Sequence, residues 1–220
     1  MTTQQSSIIK SVVDYLKKEF EGEGTGHDWF HIQRVWKLSA HIALKEEAEP
    51  FITQLTALLH DIADHKFVAN ADQAAAERIS QLLLPLGVSE DIVDSVIENV
   101  KNCSFKSSLD GPRELSPECQ IVQDADRLEA IGAIGVARTF AYGGKVGNPI
   151  YDPEVPPSEF KSSKDYLNNR THTINHFYEK LLKLKEGMNT TTGHKLAETR
   201  HRFMEEFLKQ FYAEWELQGL

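Results

Sequence analysis

The chain has 220 residues, 40% of them hydrophobic and 26% charged, with only two cysteines and a formal net charge of −9. That is a globular composition, long enough for one large domain or two small ones and able to bury most of its apolar surface without disulfide staples. The acidic balance argues against a dedicated nucleic-acid surface, which needs a net basic patch, and no apolar stretch reaches the length that spans a bilayer.

Helical periodicity runs almost throughout. Ile8, Ile9, Val12, Val13, Leu16 and Phe20 form one stripe at i, i+3/i+4 spacing, closed by the turn segment Glu21-Gly-Glu-Gly-Thr-Gly26. A second helix is expected from Asp28 to about Glu46, with Val35, Leu38 and Ile42 inward. Pro50 opens a third, running to about Asp64, and further helices are expected at roughly 71–84, 89–102, 117–141, 164–186 and 194–216. Ser89 and Ser116 are N-cap signals, the second followed by Pro117 at the first helical position. Residues 104–116 read as a polar loop. Residues 143–163 hold Gly143, Gly144, Gly147 and four prolines, too many breakers for a helix, and read as a lid, a binding loop or an insert. No stretch alternates with period two, so the chain is expected to be an all-α single domain over 1–220. Its core would span about 25–145 and its C-terminal helices about 164–216. The N-terminus lacks a basic region followed by an apolar core, and Cys103 and Cys119 show no C-x-x-C pattern, so a reduced, cytoplasmic setting is expected.

The chemistry-bearing residues sit on these inward faces. His31 shares the face of Val35, Leu38 and Ile42, and His60-Asp61 follows Leu55, Leu58 and Leu59. Asp126 lies among Val122, Ala130 and Ala133. A buried, ionised Asp is costly unless a cation or hydrogen bonds compensate it, and one divalent ion would offset both Asp61 and Asp126. A lone core His or Asp is more often a hydrogen-bonded structural residue. Four such residues on three inward faces shift the balance toward a metal site.

The order His31…His60-Asp61…Asp126 on an all-helical chain resembles the HD-domain metal-dependent phosphohydrolase superfamily. Three longer blocks, Gly26-His-Asp-Trp-Phe-His-Ile-Gln-Arg-Val35, Leu58-Leu-His-Asp-Ile-Ala-Asp-His-Lys-Phe67 and the run from Asp124 to Gly144, are similar to its bacterial YpgQ/YedJ-like branch. The resemblance implies an HD-type helical bundle with a mononuclear site, commonly active with Mn2+, that hydrolyses nucleoside or deoxynucleoside triphosphates with release of pyrophosphate. The two-nitrogen, two-oxygen ligand set itself also suits Fe2+, Co2+, Ni2+ or Zn2+, and Mg2+ stays open. Only His65 lies among the residues where dinuclear relatives carry extra histidines, so oxygenase chemistry is not expected.

Asp64, one turn after Asp61, is the candidate general base, a shorter arm where related enzymes resemble H-D-x-x-E. Lys66 and Arg34 are candidates for phosphate oxygens, with Arg127 and Arg138 as weaker ones, and Tyr142 and Lys145, at the start of the Gly/Pro-rich segment, are candidates to close over the ligand. His27 either orients a phosphate or donates a proton as a catalytic residue, or caps its helix. His172 and His176, at i, i+4, read as surface residues without a partnering carboxylate motif. Phe203, Phe207, Phe211 and Trp215 read as a core or dimer-facing stripe, which leaves a homodimer open. The expected ligand is a small phosphorylated molecule of the nucleotide class. A nucleoside 5′-monophosphatase or other phosphomonoesterase or phosphodiesterase, and a non-catalytic, metal-stabilised sensing module, are the other readings. An alarmone hydrolase is disfavoured by His65, which stands where those enzymes resemble an acidic residue.

Overall fold

The structure, a computed structural model, describes residues 1–21, 28–62, 71–103, 114–159 and 171–218. Among these residues there is no strand, in agreement with the all-α expectation. The chain forms two compact units, Met1–Ala125 and Asp126–Leu220, divided within one helix.

In the first unit, α1 (Thr3–Glu19) opens on a reciprocal cap. Thr2 accepts from the Gln5 amide, and the Gln5 side chain accepts from the Thr2 amide. Helix α2 (Trp29–Ala43) starts at Asp28 and α3 (Pro50–Leu59) at Glu49, each with its own carboxylate capping the first turn. Helix α4 (Ala71–Leu83) continues into a 3₁₀ turn at Leu84–Leu86, and α5 (Glu90–Cys103) follows. Ile9, Val12 and Leu16 of α1, Ile32 of α2, Leu55, Leu58 and Leu59 of α3, Ile79 of α4 and Val96 of α5 make one buried core. Each such side chain contributes roughly 1.5–3 kcal/mol by burial. A smaller cluster of Ala57, Cys103, Cys119 and Val122 joins α3 and α5 to α6 (Pro117–Glu129). The two cysteines are free thiols with sulfurs 3.7 Å apart.

The second unit holds the last residues of α6, then α7 (Gly132–Val146), α8 (Asn175–Glu179), a 3₁₀ segment Leu181–Gly187 and α9 (Thr191–Trp215). Helices α7 and α9 pack together. Phe177 is fully buried and stacks on Phe207, with ring centroids 5.7 Å apart.

Four expectations are corrected here. The single helix over 117–141 is two helices, separated at Ala130 and the extended Ile131, and the second starts at Gly132, whose φ of +77° is a left-handed conformation that only glycine adopts readily. Helix α7 runs through Gly143 and Gly144 to Val146, so the breaker-rich segment begins at Gly147 instead of 143. The described part of the helix expected over 164–186 is a five-residue helix and a 3₁₀ segment. Of the two histidines expected at the surface, His176 is half-buried and His172 is buried. Its Nε2 lies 3.0 Å from the Val155 carbonyl, and its Nδ1 accepts from the Asn175 amide.

Candidate metal centre

His31 is placed by its own helix start. The Asp28 carboxylate accepts from the His31 backbone N–H at 2.8 Å, fixing the first turn of α2. The His31 side chain is 1% exposed, among Ile32 and Val35 on the buried face. Glu49 caps α3 in the same way, accepting from the Ile52 amide at 2.6 Å, while its own amide donates to Glu118 of α6 at 2.8 Å. The apolar run of α3 ends at Leu59, and His60 is the C-cap residue. His60 and Asp61 therefore stand where the helix opens, which lets adjacent side chains face one point.

The tautomer of His60 follows from its neighbour. Its Nδ1 lies 2.8 Å from the Ala57 carbonyl, and a carbonyl only accepts, so Nδ1 carries the hydrogen. Nε2 is left with a lone pair, directed at His31 Nε2 at 3.3 Å. Asp61 Oδ2 lies 3.3 Å from the His31 nitrogen and 3.5 Å from the His60 nitrogen. Asp126 rides on α6, the helix whose Cys119 and Val122 pack beneath α3 in the first unit. One donor atom each from His31, His60 and Asp126 lies within 4.8 Å of the others.

These donors fit a single divalent cation. Two ligand nitrogens at about 2.1 Å from one ion stand about 3.0 Å apart at a right angle and about 3.4 Å apart at a tetrahedral angle. The observed 3.3 Å between the two imidazole nitrogens falls in that interval. Two imidazoles and two carboxylates also neutralise a divalent charge, and they are the ligand types that mid-row divalent metals share.

The remaining candidates are distributed differently. Arg34 is partly buried on α2, one turn beyond His31. Arg127 is buried and donates to the Gly187 carbonyl, and Arg138 pairs with the buried Glu129 carboxylate, so both guanidinium groups are engaged within the second unit. Tyr142 and Lys145 are exposed on α7. His27, Asp64, His65 and Lys66 lie outside the described residues. Two contributors were not singled out from sequence. Asp28 had a legible signal, a preferred N-cap residue just before a helix. Asn99, buried on α5, had only its polarity on an otherwise apolar stripe of Val93, Val96, Val100 and Cys103.

Comparison with known proteins places this geometry. The HD domain family matches residues 29–131, an interval that opens with α2 and closes just past α6, and so contains all four candidate ligands. YpgQ of Bacillus subtilis is 40% identical over 189 residues, covering 86% of this chain and 84% of YpgQ. An HD-superfamily hydrolase from Bacillus thuringiensis superposes with a TM-score of 0.78 at 41% identity, covering 98% of this chain and all of that one (100%). The crystal structure of Bacillus subtilis YpgQ in complex with ADP superposes with a TM-score of 0.77 at 32% identity, covering 99% of this chain and 98% of that one. On the shared fold, the matched interval and the donors it contains, the chain belongs to the HD-domain superfamily, among its hydrolases.

Proposed function

We propose that this hydrolase is a metal-dependent nucleotide phosphohydrolase that converts a nucleoside or deoxynucleoside triphosphate to the monophosphate and pyrophosphate. The observation that carries the reading is the approach of the His31 and His60 nitrogens to each other, to the Asp61 carboxylate at 3.3 and 3.5 Å, and to an Asp126 donor atom within 4.8 Å. A nucleotide ligand is supported by the likeness to YpgQ, which has been crystallised with ADP.

His31, His60, Asp61 and Asp126 would hold one divalent ion, for which Mn2+ is favoured. Such an ion supplies Lewis-acid polarisation of a phosphoryl oxygen and a lowered pKa for water. The protein's own groups do the rest. The Ala57 carbonyl holds the His60 ring in the tautomer that offers Nε2. Arg34, one turn from His31, is assigned to phosphate oxygens as a two-pronged donor, and Lys66 as a point charge. Asp64 is assigned to the proton of the attacking water. The water oxygen bonds to the α-phosphorus and stays on the monophosphate, the bond from the α-phosphorus to the α–β bridging oxygen breaks, and pyrophosphate leaves with the bridging oxygen. His27 would orient the phosphate chain, and Tyr142 and Lys145 would contribute from α7. Arg127 and Arg138 serve the second unit first, through Gly187 and Glu129.

The test is a panel of nucleoside tri-, di- and monophosphates given to metal-free protein with Mn2+, Mg2+, Co2+, Ni2+, Fe2+ or Zn2+ added singly, and the products resolved. Pyrophosphate from triphosphates supports the reading. Inorganic phosphate from monophosphates makes the chain a 5′-nucleotidase. No turnover by protein that retains its ion makes it a ligand-sensing module.

A further inference from the structure

We infer that Asn99 of α5 is a positioning residue for the metal centre, an inference that rests on reading His31, His60, Asp61 and Asp126 as its ligands. Asn99 is 6% exposed and stands between the two helices that bring His60 and Asp126. Its Nδ2 donates to the Thr56 hydroxyl at 3.4 Å; Thr56 is fully buried on α3, one turn before His60. Its Oδ1 accepts from the Ser116 hydroxyl at 2.8 Å. That hydroxyl is also the cap of α6, accepting from the Cys119 amide at 3.0 Å. One carboxamide thus touches the helix of His60 and fixes the start of the helix of Asp126.

Directional bonds matter at this seam because they are few among the described residues: besides those of Asn99, the Glu49 amide donates to Glu118 of α6 and the Gln123 side chain to the Asn102 carbonyl. Ala57, Cys103, Cys119 and Val122 pack the same helices by apolar contact, which tolerates sliding along a helix and rotation about it. Ala57 is also the residue whose carbonyl sets the His60 ring. A shift of α6 against α3 would move Asp126 relative to that ring while leaving most of the buried area intact. The Ser116 bond, shorter than the Thr56 bond, is the stronger restraint, and it acts on the α6 N-terminus, two turns and more before Asp126. Asn99 therefore acts through the helices, with no contact to the ion or substrate assigned to it.

The experiment measures Mn2+ affinity of the metal-free full chain, by electron paramagnetic resonance of the free ion, well below the melting temperature of every variant. Asn99→Leu keeps the branched shape at a larger volume and removes both bonds, and it should weaken Mn2+ binding by about 10-fold, the low end of what losing a direct partner of a metal ligand gives. Val96→Ala, one turn earlier on α5 and fully buried, is the control for lost stability, and its Mn2+ affinity should stay at the wild-type value. Ser116→Thr keeps the hydroxyl and should also bind as wild type. Folded Asn99→Leu with wild-type affinity overturns the inference, as does equal weakening in Val96→Ala. If Asn99→Leu does not fold, Ser116→Ala decides: weakened binding supports the positioning role and unchanged binding overturns it. Wild-type protein that holds none of the candidate ions overturns the metal reading itself, and this inference with it.

Discussion

At His60 a single hydrogen bond decides what the side chain can do. The Ala57 carbonyl takes the Nδ1 hydrogen, so the ring presents a lone pair where the sequence alone could only place an imidazole. Asp61 adds its charge beside both rings, with its side chain 19% exposed. Replacing Asp61 by Ala should abolish ion retention and turnover together, measured as bound metal per chain and product release on the same sample. Activity surviving that change would place the site elsewhere. Asp64→Asn should separate the two properties: the ion stays bound and kcat falls by ~10²–10⁴, the range for a lost general base. Asp28 acts one step further out. Its carboxylate satisfies the His31 amide, so Asp28→Ala should cost about 1 kcal/mol of stability, read as a lower denaturant midpoint at unchanged slope.

Helices are where the sequence was most readable, and the misreadings have identifiable physical causes. Stripes such as Ile9, Val12 and Leu16 need only one apolar face against a core, and α1 and α5 lie close to where periodicity puts them. The break between α6 and α7 was hidden because Ala130, Ile131 and Gly132 fit a helical pattern equally well, and it shows only in the backbone, extended at Ile131 and left-handed at Gly132. Gly143 and Gly144 misled in the other direction, since their composition suggests a breaker while the helix continues through both. Gly143 is required by packing: a β-carbon there would collide with the Thr173 side chain, which is buried and bonded to the Pro149 carbonyl at 3.0 Å. Gly144 has open space around it. Gly144→Ala should therefore stabilise by about 0.5–1 kcal/mol, by helix propensity, while Gly143→Ala should destabilise by roughly 1–3 kcal/mol through overpacking. Thermal melts of the pair check both signs. The four ligand candidates were legible because charged or imidazole residues on apolar faces are costly without a reason. Asn99 was not, because its partners Thr56 and Ser116 are distant in sequence and appear only when α3, α5 and α6 pack.

Across the whole molecule, stability should respond to pH through the second unit and to metal through the donors above. Burial, with a contribution from Lys180, pushes the His176 pKa from 6.5 down to about 3. The folded chain then binds fewer protons there than the unfolded chain between about pH 3 and 6.5. This contribution is complete above 6.5 and is lost as pH falls toward 3. Between pH 7 and 5, wild type should lose about 2 kcal/mol more than His176→Gln in urea titrations. Metal acts with the opposite economy of charge: the folded chain gathers His31, His60 and Asp126 donors within 4.8 Å, and the unfolded chain disperses them. An ion that binds only the folded state adds about 2.7 kcal/mol at 100 times its dissociation constant, and ~1.4 kcal/mol for each further tenfold. For a chain of this size each kcal/mol raises the melting temperature by about 2–4 °C. Melting in graded Mn2+ against a chelator should therefore show a rise of several degrees that continues logarithmically past saturation. The same series on Asp61→Ala should be flat. A rise in that variant equal to wild type would mean the ion stabilises the fold through groups other than these, and a flat wild-type series would mean that the convergent nitrogens hold no ion at all.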